Sequence, residues 1–227
     1  MSRNTDAPTV RAHTIGQTPR PDLMRDLVAR LDSVAVEIRG ALDGLTAEEI
    51  PACPGDGYPL ETRLRDGRRV VVDAAWLGPR IQASISDGDS PATVHFVLCA
   101  GFFARLRSMG RVIQPCEVAA EHLAQAGIGS IEVVVPFAAQ ACPALEKWGM
   151  AGFSCQAHVL ADATTRPTHL ATHLANTTAQ AIVFDYVGLP DAIFREVAAV
   201  AKVPVFDVGR LGLDALVQEL EKGGGTE

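Results

Sequence analysis

The sequence predicts an α/β protein with parallel sheets, and two observations support this fold class. Short runs of β-branched and apolar residues alternate, from Val10 to Leu220, with stretches whose apolar residues recur at helical spacing. This alternation is typical of parallel sheets flanked by helices. The run Thr93–Leu98 is apolar apart from His95 and is followed by a turn containing Gly101. That pattern indicates a strand buried in the middle of a parallel sheet.

Composition places the chain among ordinary globular proteins and argues against two kinds of partner. Of 227 residues, 48% are hydrophobic and 21% are charged, which suits one large domain or two small ones. The net charge of −7 argues against nucleic acid, and no apolar run approaches the roughly 18 residues of a membrane span. The first residues lack the apolar core of a signal peptide, and the five scattered cysteines include no C-x-x-C pair. We therefore expect a cytoplasmic protein with free thiols.

The start of the chain predicts an anion site. We expect a strand at Val10–Ile15, a turn at Gly16–Arg20, a helix with Thr18 as N-cap and Pro19 at its first position, and a strand at Val34–Ile38. The turn then lies at a helix N-terminus, where backbone N–H groups favour an anion. Arg20 would add positive charge there. The alternative is that Arg20 is a solvated arginine of the first helical turn.

A β-hairpin is predicted between Leu60 and Val72. Apolar and polar residues alternate on both sides of Asp66-Gly67, which is the strongest short-range hairpin signal. Before the hairpin, Thr46 and Glu49 form a capping box at the start of a short helix. Four arginines crowd the hairpin, and most must be solvated, but one could lean over a neighbouring crevice: Arg63, Arg65, Arg68 and Arg69.

The remaining chain continues the alternation of elements. Helices are predicted at Trp76–Ser84, from Pro115, at Gln140–Trp148, at His169–Leu174, from Pro190 and at Leu213–Leu220. Strands are predicted at Ile131–Val135, Phe153–Leu160, Ala181–Phe184 and Pro204–Val208, and Phe102–Ile113 is predicted to be a loop. His169 and His173 stand four residues apart, a spacing that binds zinc, but no glutamate lies between them and no third ligand is evident. A solvated helix face is the better interpretation, and we predict no metal site.

Cys99 stands where the buried strand Thr93–Leu98 ends. In open α/β sheets, ligands bind in the crevice beyond the carboxyl ends of the strands. A thiol beside the N–H groups of a turn can have its pKa lowered and act as a base or nucleophile. The alternative is that Cys99 is a small buried hydrophobe, as free cysteines usually are.

Seven stretches, in order along the chain, resemble the AroM family. They are TIGQTPRPD (Thr14–Asp22), GALDGLTAEEI (Gly40–Ile50), YPLETRLRDGRRVVV (Tyr58–Val72), VLCAGFF (Val97–Phe103), VVVPFAAQ (Val133–Gln140), EKWGMAGF (Glu146–Phe153) and IVFDYVGL (Ile182–Leu189). The resemblance implies two pseudo-symmetric α/β lobes, each a small parallel β-sheet flanked by helices, with a β-hairpin insertion in the first. It places residues 10–112 and 205–222 in the first lobe and 113–204 in the second, with flexible tails at 1–9 and 223–227.

The AroM family is grouped with the aspartate/glutamate/hydantoin racemase superfamily and has no settled activity of its own. The resemblance implies a site between the lobes, in which racemases use two cysteines on opposite faces of the substrate α-carbon and need no metal or cofactor. Cys99 matches the first cysteine. At the second the family reads Asp-Cys-Met-Gly, whereas this chain has Tyr186 in place of the cysteine. The family also tends to have glutamate where this chain has Phe102.

The resemblance implies a set of site residues. Cys99 and Tyr186 are the expected catalytic pair, facing each other across one cleft, and Asp185 is expected to orient the turn that carries Tyr186. The expected substrate-binding residues are Gly16, Gln17, Thr18, Arg20, Arg63, Ala100, Gly101, Pro136, Asp185, Val187 and Gly188. No cofactor is expected.

Two classes of function follow. The first is a cofactor-independent lyase or isomerase, racemase- or decarboxylase-like, that acts on a small carboxylate with Cys99 as proton carrier. The alternative is a catalytically silent protein that binds a small metabolite in the same cleft. The expected partner is a small carboxylate, with no nucleic acid and no membrane, and a homodimer stays open.

Overall fold

The computed structural model describes residues 9–31, 34–160 and 167–223, which divide into two compact units. The first unit comprises the chain up to Gln114 and the part from Leu213 onward, and the second comprises Pro115–Gly212. Each unit contains a four-stranded sheet whose strands pair in parallel. The predicted α/β class, with parallel sheets flanked by helices, is confirmed.

The first unit holds the elements β1 to β6. They are β1 (Thr9–Thr14), α1 (Pro21–Arg30), β2 (Val36–Gly40), β3 (Pro59–Arg63), β4 (Arg69–Asp73), α2 (Ala74–Ser86), β5 (Thr93–Leu98) and β6 (Arg111–Ile113). Its parallel sheet has the order β2-β1-β5-β6, and β3 pairs with β4 as a separate antiparallel hairpin. A single 3₁₀ turn, Ala47–Glu49, carries the predicted capping box of Thr46 and Glu49.

The second unit holds the elements α3 to β10. They are α3 (Pro115–Gln125), β7 (Ser130–Val135), α4 (Ala141–Met150), β8 (Ser154–Val159), α5 (Pro167–Leu174), β9 (Ala181–Phe184), α6 (Asp191–Val200) and β10 (Val205–Asp207). A last helix, α7 (Val208–Gly223), contains the division between the units. The sheet order is β10-β9-β7-β8.

The two sheets share one strand order. If strands are numbered within their own parallel sheet, both sheets read 2-1-3-4: β2-β1-β5-β6 in the first unit and β8-β7-β9-β10 in the second. In such a sheet the chain reverses its direction of winding between the first and third strands, and ligands bind beyond the carboxyl ends of those strands. The relevant ends are those of β1 and β5 in the first unit and of β7 and β9 in the second.

These central strands are buried, which explains their continuous apolar sequences. All six residues of β5 are buried, and α2 packs Leu77, Ile81 and Ile85 into the same cluster as Val97. All four residues of β9 are fully buried. The turns at the carboxyl ends of both strands are therefore attached to well-packed strands.

The predicted hairpin forms as expected. Leu60 pairs with Val72, and Gly67 takes the positive φ of 88° that the turn requires. The inward side chains of Leu60, Leu64 and Val72 lie in the core of the first unit. The hairpin is thus anchored to the domain instead of extending into solvent.

Two local predictions are wrong. The segment Phe102–Ile113, expected to be a loop, ends in the short edge strand β6, which pairs with Val94–Phe96. Strand β6 was not predicted because it has only three residues, begins with the exposed Arg111 and shows no recognisable strand pattern. The last helix begins at Val208 and not at Leu213, and it directly follows β10, which ends at Asp207.

The segment 205–212 lies in the second unit, whereas the expected division placed 205–222 in the first lobe. The reason is main-chain pairing, because β10 hydrogen-bonds to β9 in the second sheet. Of the expected tails, only Thr9, in β1, and Gly223, in α7, fall within the described residues. Within the same residues, no helix has the length and apolar character needed to cross a membrane.

Candidate active site

Cys99 directly follows β5 and is 6% exposed. The backbone N–H of Gly101 donates a hydrogen bond to Cys99 Sγ at 3.2 Å. A Cβ at Gly101 would lie 3.0 Å from Leu60 Cδ1 and 3.3 Å from that sulfur, so glycine allows this close approach. An N–H dipole aimed at sulfur stabilises negative charge on it.

The turn after Cys99 is held by a buried glutamine. Gln114 accepts a hydrogen bond from the Phe103 N–H at 3.0 Å and donates one to the Phe103 carbonyl at 3.2 Å. Phe103 is 2% exposed, whereas its neighbour Phe102 is 44% exposed. No sequence signal indicated Gln114, since the contact spans eleven residues of predicted loop.

The N–H groups of Gln17 donate hydrogen bonds to backbone carbonyls of the protein. Its N–H donates to the Arg63 carbonyl at 3.1 Å, and its Nε2 donates to the carbonyls of Leu42 and Leu45. Its Oε1 accepts a hydrogen bond from the Arg65 N–H at 2.8 Å. Gln17, expected to bind substrate, therefore joins the loop after β1 to the hairpin and to the segment after β2.

Thr18 is bound to Asp43 and does not cap α1. The Thr18 N–H and Oγ1 donate to the Asp43 carboxylate at 2.8 and 2.9 Å, and the Gly40 N–H donates to the same group. The helix begins at Pro21, with Arg20 at the N-cap position and no side-chain cap. The expected cap was wrong because Pro21, the second proline of the segment, occupies the first helical position.

Arg20 forms a bidentate pair with Asp22 in the first turn of α1. Its Nε and Nη2 lie 2.9 and 2.8 Å from the two carboxylate oxygens, and its Nη1 lies 3.4 Å from Thr62 Oγ1. The Arg20 side chain is only 11% exposed, so it is not the solvated arginine of the alternative interpretation. The hydrogen bond from Arg20 lowers the pKa of Asp22. The chain's own carboxylates, Asp22 and Asp43, thus take the positions expected for an anion.

Strand β3 brings the loops after β1 and β5 together. A Cβ at Gly16 would lie 2.4 Å from Thr62 Oγ1 and 2.5 Å from the Arg63 carbonyl, while Leu60 of the same strand touches Gly101. Leu60 and Thr62 are two residues apart, which is roughly 7 Å along a strand. The Arg63 side chain is exposed and makes no hydrogen bond or ion pair within the described part of the chain, although its charge contributes to lowering the pKa of Asp22.

In the second unit, Asp185 follows β9 and is held from α4. Lys147 Nζ lies 2.6 Å from both carboxylate oxygens, and Trp148 Nε1 donates to one of them at 3.2 Å. The Asp185 N–H donates to the Val134 carbonyl of β7. Sequence reasoning missed Lys147 and Trp148, although both lie in the family-like stretch Glu146–Phe153.

The turn after Asp185 needs a glycine and lies against α7. Tyr186 and Val187 are half-buried, and Gly188 has a φ of 87°, which L-residues rarely adopt. A Cβ at Gly209 would lie 3.3 Å from Val187 Cα and 3.4 Å from the Tyr186 carbonyl, so the first turn of α7 packs on this turn. Pro136, half-buried, directly follows β7.

The candidate residues therefore form two groups, one in each unit. All except Arg63, which ends strand β3 of the hairpin, lie beyond the first and third strands of their own sheet. Gly16, Gln17, Thr18, Arg20, Arg63, Cys99, Ala100 and Gly101 belong to the first unit, and Pro136, Asp185, Tyr186, Val187 and Gly188 belong to the second. Among the described side chains, no group of three or more His, Cys, Asp or Glu residues could hold a metal ion. His173 is exposed on α5, and the side chain of His169 lies outside the described residues.

Solved structures of three enzymes share this fold. Maleate isomerase Iso from Pseudomonas putida S16 is 17% identical with a TM-score of 0.57, covering 96% of this chain and 97% of its own. Allantoin racemase from Klebsiella pneumoniae is 18% identical with a TM-score of 0.57, covering 95% and 89%. Arylmalonate decarboxylase is 11% identical with a TM-score of 0.57, covering 96% and 94%. At these identities the likeness concerns the fold.

No curated protein sequence matches the chain significantly. The sequence model of the family described as "AroM protein" matches residues 10–220, which include both sheets and both groups of candidate residues. The chain therefore belongs to the AroM family.

Proposed function

We propose that the protein is a cofactor-independent lyase or isomerase that transfers a proton at the α-carbon of a small carboxylate, with Cys99 as the proton carrier. The observation that carries the proposal is the hydrogen bond from the Gly101 N–H to Cys99 Sγ at the carboxyl end of β5. A thiol can donate a proton to carbon and its thiolate can accept one. A backbone donor that stabilises the thiolate makes the thiol more acidic without a metal or organic cofactor.

We propose that protonation occurs on one face of the substrate carbon, as in a decarboxylase. Tyr186 stands where the family pattern has a second cysteine. A tyrosine ordinarily has a pKa near 10, so its use as a base at neutral pH requires roughly 4 kcal/mol of local stabilisation. In this proposal Tyr186 binds through its hydroxyl or acts as an acid, and Asp185 orients its turn.

Arg63 is the residue that we propose to bind the substrate carboxylate. The positive charge of Arg20 is paired with Asp22, and Thr18 donates to Asp43, whereas the exposed guanidinium of Arg63 has no ion-pair partner in the described chain. We propose that Gly16, Ala100 and Gly101 line the site around Cys99 with backbone. Gln17, Thr18 and Arg20 then act indirectly, by holding the loop after β1.

Site-resolved alkylation tests the proposed role of Cys99. Iodoacetamide is added to the native protein, and labelling of each cysteine is followed by peptide mass spectrometry. Cys116 is matched for burial at 5% exposure, and Cys142 is exposed, so the two control for accessibility. We expect Cys99 to react faster than both. A rate at Cys99 no higher than that at Cys116 would exclude an activated thiol.

Proton exchange in deuterated water tests the one-face mechanism. Each enantiomer of aspartate and glutamate is incubated with the protein, and the α-carbon is monitored by NMR and chiral chromatography. We expect no exchange with inversion. Substituted malonates are tested for CO₂ release, which Cys99→Ala should slow at least ~100-fold. Rapid exchange with inversion would show two working bases and contradict the assignment of Tyr186.

The second candidate function is binding of a small metabolite without turnover. The tyrosine at position 186 favours it, because one of the two expected thiols is missing. In that case a panel of dicarboxylates and aromatic acids should raise the melting temperature equally in the wild type and in Cys99→Ala, with no product formed. Product formation that depends on Cys99 decides for the enzyme.

A further inference from the structure

Phe102 is an exposed aromatic side chain three residues after Cys99. Among the described residues, six large hydrophobic side chains are exposed, and Phe102 is the one aromatic among them: Val28, Val71, Phe102, Met109, Met150 and Val200. A single exposed apolar side chain needs no explanation by itself. Its place beside the Cys99 turn, at the carboxyl end of a central strand, is where a ligand is expected.

The neighbours of Phe102 hold it at the surface. Gly101 is buried against Leu60, and Phe103 is buried with its N–H and carbonyl both bound to Gln114. The turn therefore directs its apolar side chain at position 103 into the core and leaves the Phe102 ring in solvent. An apolar ligand group that covers the ring removes both surfaces from water.

The surroundings do not favour an amino acid substrate. A substrate ammonium needs an acceptor, and the carboxylates of the adjacent loops are engaged: Asp22 by Arg20, and Asp43 by Thr18 and Gly40. Phe102 itself supplies no acceptor. Arg63, the last residue of β3, is an exposed cation without an ion-pair partner among the described residues, which suits a carboxylate.

We propose that Phe102 determines specificity by packing against an apolar, preferably aromatic, substituent on the substrate α-carbon. The substrate class is therefore an α-aryl carboxylate or α-aryl dicarboxylate instead of a free amino acid. This inference rests on the proposed function, since it assumes that substrate binds at Cys99. Contact with one aromatic ring changes affinity by about tenfold or more.

Binding of two matched dicarboxylates tests the inference without requiring turnover. Phenylmalonate and methylmalonate are titrated by calorimetry into the wild type, Phe102→Ala and Met109→Ala. Met109 is the control because it is 68% exposed in the same segment, but its N–H binds Asp89, which precedes β5, so it lies at the opposite end of the strand from Cys99. We expect phenylmalonate to bind the wild type at least about tenfold more tightly than methylmalonate.

We expect Phe102→Ala to lose that preference and Met109→Ala to keep it. Both side chains are exposed, so both variants should fold, which circular dichroism checks. Equal affinity of the wild type for the two ligands, or a preference that persists in Phe102→Ala, overturns the inference.

Alkylation separates this inference from the proposed function. The rate of Cys99 labelling by 2-bromo-2-phenylacetate is divided by the rate for bromoacetate, each corrected for its rate with free cysteine. We expect this ratio to fall about tenfold in Phe102→Ala and to stay constant in Met109→Ala. A reactive Cys99 whose ratio is unchanged in Phe102→Ala overturns the inference alone. A phenylmalonate preference that depends on Phe102, with Cys99 as unreactive as Cys116, supports the inference and contradicts the proposed chemistry.

Discussion

The turns after β5 and β9 occupy the same place in the same 2-1-3-4 strand order but carry different chemistry. In the first, the backbone N–H of Gly101 donates a hydrogen bond to the Cys99 sulfur. The second presents the Asp185 carboxylate to an ammonium and an indole N–H, which bind it from α4. The comparison shows that one strand order presents groups of different chemistry at the same place, a thiol in the first unit and an ion-paired carboxylate in the second.

The two units also differ in their buried networks of hydrogen-bonded polar side chains. In the first unit Ser84 Oγ, His13 and His95 follow one another at 2.9 Å, and His95 Nε2 lies 3.0 Å from Asp89 Oδ1. Burial would raise the pKa of Asp89, but hydrogen bonds, chiefly from the Met109 N–H, lower it to about 2, so Asp89 only accepts. The proton assignment then runs one way: His95 Nε2–H to Asp89, His13 Nε2–H to His95 Nδ1, and the Ser84 hydroxyl to His13 Nδ1.

The hydrogen-bonded network of the second unit is shorter. Glu132, 5% exposed, accepts hydrogen bonds from His158 Nε2 at 2.7 Å and from Thr177 Oγ1 at 2.6 Å. The network in the first unit contains two buried histidines, whereas the network in the second contains one half-buried histidine. We therefore expect the first unit to respond more strongly to acid.

The largest expected effect is on the buried ion pair of the second unit. Lys147→Met removes the ammonium that pairs with the buried Asp185 carboxylate and leaves it the hydrogen bond from the Trp148 indole N–H. Removing one partner of a buried ion pair costs about 3–5 kcal/mol of stability. The free energy of unfolding, measured in urea, should fall by that amount. The double variant with Asp185→Asn should cost less than the sum of the two single variants.

The exposed hairpin of the first unit supplies the control for that measurement. Arg69 pairs with Glu61 at 3.2 Å, but the Arg69 side chain is 62% exposed. Because solvent screens such a pair, Arg69→Met should cost less than about 1 kcal/mol. Equal losses for Lys147→Met and Arg69→Met would show that Asp185 is not held by a buried charge.

The next effect concerns the contact between β3 and the loop after β1. Gly16→Ala places a Cβ within 2.5 Å of both Thr62 Oγ1 and the Arg63 carbonyl, so backbone must move. We expect a loss of about 1–3 kcal/mol in unfolding free energy and a change in the Cys99 alkylation rate. Gly55→Ala, where nothing lies within 4 Å, is the control and should leave both quantities nearly unchanged.

The third prediction is the acid response of the first unit. Burial is the main reason that the pKa of His13 falls from 6.5 to about 3, with further lowering by His95, Arg39 and Arg11, against a smaller raising effect of Glu37. Between those two pH values the unfolded chain binds a proton that the folded chain does not. Stability is therefore complete above pH 6.5 and falls below it by up to about 1.4 kcal/mol per pH unit.

Urea unfolding at several pH values between 7.5 and 4.5 measures this slope. His13→Gln removes the titrating group while its amide N–H can still donate to His95, so the slope should be shallower. His122→Gln is the control, because His122 is exposed on α3. If His13→Gln and the wild type lose stability in parallel, the buried histidine is not responsible.

The smallest effect is expected at the turn that carries Tyr186. Gly188 has a φ of 87° and is exposed, so Gly188→Ala introduces backbone strain, which costs about 1 kcal/mol. Gly149→Ala lies in α4 with nothing within 4 Å and should stabilise by about 0.5–1 kcal/mol. Thermal unfolding that shifts in the same direction for both variants would contradict the assigned turn.

Local sequence pattern predicts the central elements of both units. Thr93–Leu98 and Ala181–Phe184 match β5 and β9 to the residue, because strands buried on both faces need unbroken apolar runs. The hairpin follows from Asp66-Gly67, since few residues tolerate the positive φ at Gly67. The place of Cys99 at the end of β5 is determined in the same way.

Only the tertiary structure determines which polar side chains are engaged in hydrogen bonds and ion pairs within the protein. Asp43 binds Thr18 over 25 residues, Gln17 binds Arg65 over 48, and Lys147 binds Asp185 over 38. Local spacing predicts elements because helices and strands repeat every few residues, but it carries no record of which side chains meet after the chain folds. For this reason the sequence by itself determined where a thiol and two candidate turns would lie. Only the folded chain shows that the charge of Arg20 is paired with Asp22 while Arg63 is exposed and makes no ion pair with any described residue.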